Sequence, residues 1–224
     1  MDYQSAITFI MEIFGTIAFA ASGAMVGIER HMDIFGISVL GVVTAVGGGV
    51  IRDVVLGVIP PSVFQNGVYA GVAVVTACLI FAVFYFNKEL LQGRFRVTYD
   101  KVMLAMDSIG LGIFTVVGVN TGILNGYGEN TFLLAFLGTI TGVGGGLLRD
   151  MMAGVPPYIF VRHVYASASI AGAIACVYLY HWFGAVEAML GASAIVILIR
   201  FLAAHYRWNL PRLHLEEKTE ESGG

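Results

Sequence analysis

Residues 41 to 58, GVVTAVGGGVIRDVVLGV, recur at 138 to 155 as GTITGVGGGLLRDMMAGV, and the two stretches agree at 10 of 18 positions without a gap. The agreement falls on residues that constrain folding. Three consecutive glycines, Gly47 to Gly49 and Gly144 to Gly146, sit inside apolar runs and precede Arg52-Asp53 and Arg149-Asp150 at the same distance. Glycine in a helix interior costs about 1 kcal/mol relative to alanine, so each triplet weakens a helix by about 3 kcal/mol. A chain that carries this burden twice uses it.

Composition places both copies in a bilayer. Apolar residues make up 58% of the chain and charged residues 12%, the latter about half the usual share for a soluble domain. Almost nothing polar is left to cover the outside of a soluble helical fold. Reading for runs of about 20 apolar residues gives seven spans, roughly 6 to 28, 34 to 51, 63 to 86, 102 to 122, 131 to 149, 159 to 180 and 185 to 204. Cys78 and Cys176 fall within spans and have no metal-ligand spacing, so they read as core filler. The segment from His205 to Gly224 runs basic and then acidic, and is expected to be a disordered cytoplasmic tail.

Seven spans put Arg30, Lys88, Arg94, Arg96, Lys101, Arg149, Arg162, Arg200, Arg207, Arg212 and Lys218 at or beyond the membrane ends on one side, and Arg52 on the other. Excess Lys and Arg mark the cytoplasmic side. The expected orientation is N-terminus outside and C-terminus inside. The first residues, Met1-Asp2-Tyr3-Gln4, lack the basic region of a cleaved signal peptide, so span one is expected to be retained.

The repeat reaches beyond the glycines. Glu12 matches Asp107, Gly15 matches Gly110, Phe19 matches Phe114, and Gly23 and Gly27 match Gly118 and Gly122; Val68-Tyr69-Ala70 matches Val164-Tyr165-Ala166. Each unit is three spans long, about 5 to 86 and 103 to 182, with span seven outside. A unit with an odd number of crossings inserts its copy upside down. The expected fold is therefore an all-α membrane protein of seven helices, a 3+3 inverted repeat plus one, with helices two and five broken at the glycines.

Inverted repeats with broken helices are a recurrent plan for moving small solutes or ions, and unwound backbone in a bilayer must be buried or line water. The competing reading is that the glycines let helices approach closely. Arg52 and Arg149 are expensive in a span unless they face water or a partner. Neighbours in sequence do not face one another on a helix, so Arg52 need not pair with Asp53, and Glu12, Asp107 and Asp150 are candidate carboxylates elsewhere; the alternative is an interfacial anchor. Asp150 follows Arg149 in the same way. Glu12, Thr16, Phe19 and Gly23 share one stripe of helix one, and the symmetric acids Glu12 and Asp107 read as entrances to one path or as exposed residues near membrane ends. Thr44 and Thr141, three residues before each triplet, are candidate hydroxyl ligands, or bond to their own helix backbone.

A duplicated GGGxxRD signature in a three-plus-three-plus-one membrane protein of this size resembles the prokaryotic branch of the trimeric intracellular cation (TRIC) channel family, over residues 5 to 204. The resemblance implies a homotrimer in membrane lipid, with a pore in each protomer for K+ or Na+, lined by the helices that carry Gly47 to Gly49 and Gly144 to Gly146. Animal members carry a lysine-based motif and use phosphoinositide lipid; here Arg52 and Arg149 stand at the comparable place. Related bacterial sequences are described as glycine transporters, so a secondary transporter in which Arg52 or Arg149 holds a substrate carboxylate is the competing function. An enzyme is not expected, since no nucleophile stands with a base. Neither a cofactor, a bound metal beyond a transient monovalent cation, nor a nucleic-acid partner is expected.

Overall fold

The computed structural model describes residues 3–87, 96–161 and 164–208. Lys88, Arg94, Arg162, Arg212 and Lys218 of the charge asymmetry, and residues 209–224 of the expected tail, lie outside the described residues. The elements in chain order are α1 (Tyr3–Glu29), α2 (Ile34–Val55), α3 (Ser62–Gln65), α4 (Val68–Phe86), α5 (Arg96–Gly122), α6 (Thr131–Met152), α7 (Tyr158–Val161), α8 (Ala166–Phe183) and α9 (Ala185–His205). Seven of these helices are long and apolar enough to cross a membrane. A π-helical turn, Ile123–Tyr127, extends α5 and turns at Gly126, whose φ of 87° only glycine adopts readily.

The helices start where side chains satisfy their free N–H groups. Asp33 accepts from Gly36 N at 2.7 Å to open α2, and Asn130 accepts from Leu133 N at 3.0 Å to open α6. The third and sixth spans begin later than their hydropathy predicts. Apolar residues 63–64 and 159–161 belong instead to the one-turn helices α3 and α7, set off from α2 and α6 by Pro60-Pro61 and Pro156-Pro157.

α2 and α6 cross at the centre, flanked by α1 and α5; α4 lies against α1 and α2, α8 against α5 and α6, and α9 against α5 and α8. The expected break at the glycines is corrected here. α2 and α6 run as continuous α-helix through Gly47 to Gly49 and Gly144 to Gly146. A Cβ on Gly48 would overlap the carbonyl oxygen of Thr141, and one on Gly145 would overlap that of Thr44. Without side chains the two backbones touch, and this close approach offsets the helix-weakening cost of glycine. The contacts are reciprocal elsewhere too. Gly15 lies under Phe114 and Gly110 under Phe19, while the two rings stack with centroids 5.3 Å apart. The exposed apolar side chains of α4, among them Val75, Leu79 and Phe86, suit a lipid-facing surface.

Candidate functional site

Each half builds an arginine–aspartate clamp from the end of its glycine helix. Arg52 Nε and Nη2 both reach Asp53 Oδ1 at 2.8 Å, and Arg149 Nε reaches Asp150 Oδ1 at 2.8 Å. The second carboxylate oxygen accepts the backbone N–H that opens the next short helix: Ser62 N donates to Asp53 Oδ2 and Tyr158 N to Asp150 Oδ2, both at 2.8 Å. Arg52 therefore pairs with its neighbour, the partner that helical spacing disfavours. Adjacent Cβ atoms diverge on a helix, but the long arginine stem curls back at the last turn, where Asp53 is held outward by Ser62. The RD dipeptide ties each glycine helix to the segment that follows it.

The acids matched by the repeat have different surroundings. Asp107 on α5 and Arg149 on α6 are both wholly buried, with Arg149 Nη1 2.6 Å from Asp107 Oδ1. Ser22 of α1 donates to the same carboxylate oxygen at 3.4 Å and accepts from Arg149 Nη1. Arg149 thus finds its carboxylate inside its own half; the contribution from the other half is a hydroxyl. The ring of Tyr158 lies 5.1 Å from the Arg149 guanidinium carbon, and that of Tyr165 lies 4.8 Å from the Arg200 guanidinium carbon. Arg200 Nη2 stands 3.8 Å from Asp107 Oδ2. Asp107 and Arg149 are thereby enclosed.

Glu12 on α1 is only partly buried, and accepts a hydrogen bond from Tyr69 OH. With Thr16, Gly49, Arg52, Asp53 and Ser62 it lines a cavity of about 200 Å³. A second cavity, of about 440 Å³, shares Glu12 and Tyr69 and continues to Gln4, Ser5, Thr8, Asn66 and Asn120. One substitution and one reoriented tyrosine contribute to the difference, besides Arg200. Ser62 stands where the other half has Tyr158 over its arginine. Tyr69 turns its hydroxyl to Glu12, whereas the hydroxyl of Tyr165 lies over Gly146, 2.7 Å from where a Cβ would be; a Cβ on Gly49 would meet only Arg52 Nη2, at 3.8 Å.

Thr44 and Thr141 are buried at the helix crossing and donate to Leu40 O and Leu137 O, both at 2.6 Å. Their hydroxyls are spent on their own helices, and it is their carbonyls that meet the opposing glycines. Tyr69, Tyr165, Ser22 and Arg200 join the site without having been singled out for it. The two tyrosines were visible as matched openers of spans three and six, and Arg200 as a charge at a span end. No group of His, Cys, Asp and Glu among the described residues is arranged to hold a metal.

Fold and site together define a polytopic helical membrane protein made of two like halves and a seventh helix, with a charged cavity inside the protomer. A family model described as Glycine transporter matches twice, at residues 9–85 and 104–181. The UPF0126 inner membrane protein YadS of Escherichia coli strain K12 is 35% identical over 215 residues, covering 94% of this chain and 98% of that protein. Among solved structures, a prokaryotic TRIC channel in 0.5 M KCl shares 29% identity with a TM-score of 0.82, over 92% of this chain and 100% of that one. The TRIC trimeric intracellular cation channel orthologue from Rhodobacter sphaeroides shares 32% identity with a TM-score of 0.78, over 90% and 99%. This chain belongs to the prokaryotic TRIC channel family.

Proposed function

We propose that the chain is a cation channel for monovalent ions such as K+ and Na+, with one path inside each protomer of a homotrimer in the inner membrane. The halves insert in opposite senses, N-terminus outside and C-terminus cytoplasmic, in keeping with the lysine and arginine asymmetry. The observation that carries the reading is the carboxylate of Glu12, shared by two successive cavities along α1. An ion entering beside Gln4 and Asn120 reaches Glu12 and Tyr69, then a chamber bounded by Thr16, Gly49 and Arg52. Arg52 is neutralised by Asp53, so it does not repel a cation there. Beyond the chamber, the crossing of Gly47 to Gly49 with Gly144 to Gly146, and the cluster of Asp107, Arg149 and Asp150, close the path. Opening then consists of sliding at a crossing where Gly48 and Gly145 meet backbone to backbone, with the carbonyls of Thr44 and Thr141 bordering it and Leu148 and Ile51 beside it.

A secondary transporter of glycine or a similar small amino acid is the second reading. It is favoured by the same asymmetry, because a cavity in one half and closure in the other is what alternating access requires. Arg52 would then face the substrate carboxylate and Glu12 its ammonium group. Reconstitution into a planar bilayer separates the two. Unitary currents far above about a thousand ions per second, the pace of millisecond conformational cycles, support the channel. Saturable glycine uptake without unitary current supports the transporter.

A further inference from the structure

Among the described helices α9 is the one long helix outside the repeat, and it carries a guanidinium to the enclosed Asp107. Arg200 is 3% exposed, though it lies only five residues before the helix end at His205. Its environment is unusual for a structural ion pair. Among the described residues Nε and Nη2 have no hydrogen-bond partner, and the approach to Asp107 Oδ2 is 3.8 Å, charge attraction without a hydrogen bond. The rest of its hold is the face of Tyr165. Asp107 is divided accordingly. Oδ1 is held by Arg149 and Ser22, while Oδ2 has no hydrogen-bond partner and faces Arg200. In the first half Glu12, the matched acid, has no arginine in salt-bridge contact among the described residues and lines a cavity.

We propose that Arg200 is a tethered cation, occupying beside Asp107 Oδ2 the place that a permeating cation must take, so that the path is closed while the guanidinium is in and open when it leaves. The proposal rests on the cation-channel reading. The side chain has somewhere to go. Five residues of helix rise about 7.5 Å, a distance an arginine stem can nearly span, so Arg200 can extend along α9 to the helix end and leave its charge in water. Departure costs no well-formed hydrogen bond, and the oxygen it uncovers is buried with no hydrogen-bond partner among the described residues. Arg149 is the contrasting residue: its hydrogen bonds to Asp107, Ser22 and Asp150 lock it in place. One arginine fixes the carboxylate and the other covers it.

The test uses the full chain in liposomes, with K+ efflux as the readout, comparing the unaltered protein with Arg200→Lys and Arg200→Met. Methionine keeps an apolar stem against Tyr165 and removes the charge. The expected result is an efflux about tenfold or more above the unaltered protein in Arg200→Met, the population shift of a closed state that has lost its holding charge. Arg200→Lys should stay near the unaltered rate. Guanidinium chloride, compared with sodium chloride, should slow efflux through Arg200→Met and leave the unaltered protein unaffected. Equal efflux in all three proteins, lower efflux in Arg200→Met, no block by guanidinium, or an Arg200→Met chain that no longer assembles would each overturn the tethered cation. Absence of K+ efflux from both the unaltered protein and Arg200→Met would overturn the channel reading itself.

Discussion

The two halves share their clamp and differ in what covers it. In the second half Tyr158 roofs Arg149, Tyr165 lies over Gly146, and Arg200 of α9 adds a charge, so that Asp107 is wholly enclosed. In the first half serine replaces the roofing tyrosine, the matched tyrosine turns away to Glu12, and among the described helices none corresponds to α9; beside Arg52 lies a cavity of about 200 Å³, completed by Phe114, Val117 and Thr121 of α5. The same arginine–aspartate clamp therefore stands beside a cavity in one half and beneath Tyr158, Tyr165 and Arg200 in the other. A path built this way can be opened at its closed end without altering the scaffold that positions it.

The comparison breaks most sharply at the arginines. Arg149→Gln leaves Asp107 and Asp150 buried with less compensation, a loss of about 3 to 5 kcal/mol, visible as a large fall in thermal stability in detergent. Arg52→Gln, beside a cavity, should cost clearly less and should preserve or raise cation conductance. Equal destabilisation by the two would mean that the halves are energetically alike.

The glycines give the next effect. Gly48→Ala and Gly145→Ala place a methyl group on an opposing carbonyl, and overpacking of this kind costs about 1 to 3 kcal/mol; both variants should unfold at lower temperature. Their neighbours should part company. Gly49→Ala meets only the tip of Arg52 and should be neutral or gain up to about 1 kcal/mol of helix propensity. Gly146→Ala presses on the Tyr165 hydroxyl and should destabilise. The same sign for both would remove the asymmetry at the triplets.

The smallest expected effect is at the tyrosines. Tyr69→Phe removes a hydrogen bond to a carboxylate, worth about 1.5 to 3 kcal/mol at most and less where water enters, and should change ion entry more than folding. The hydroxyl of Tyr165 has no hydrogen-bond partner among the described residues, so Tyr165→Phe should leave stability within about 0.5 kcal/mol. Both are read from melting curves alongside efflux.

Much of this was legible in the chain. Seven spans, two three-helix units and the pairing of Gly15 with Gly110 or Phe19 with Phe114 follow from periodicity and internal matching, because the close contacts select the residues that repeat. The glycine triplets were not decidable that way. A break and a close crossing demand the same residues, and only the opposing carbonyls of Thr44 and Thr141 show that the helices stay intact. The pairing of Arg52 with Asp53 was hidden for a related reason: helical spacing predicts where a Cβ points, not how far a guanidinium folds back. Arg200, lodged between Ile199 and Phe201 in an apolar span, was a signal available but read only as topology.

The open–closed comparison is tested most directly by a pair of matched cysteines. Val46 lines the first-half cavity, and its counterpart Val143 is buried at 2% exposure. In a background with Cys78 and Cys176 replaced, a small cationic thiol reagent should modify Val46→Cys readily and reduce the cation current. Val143→Cys should remain unmodified under the same conditions. Equal labelling of the two positions, or labelling of Val143→Cys alone, would contradict the account.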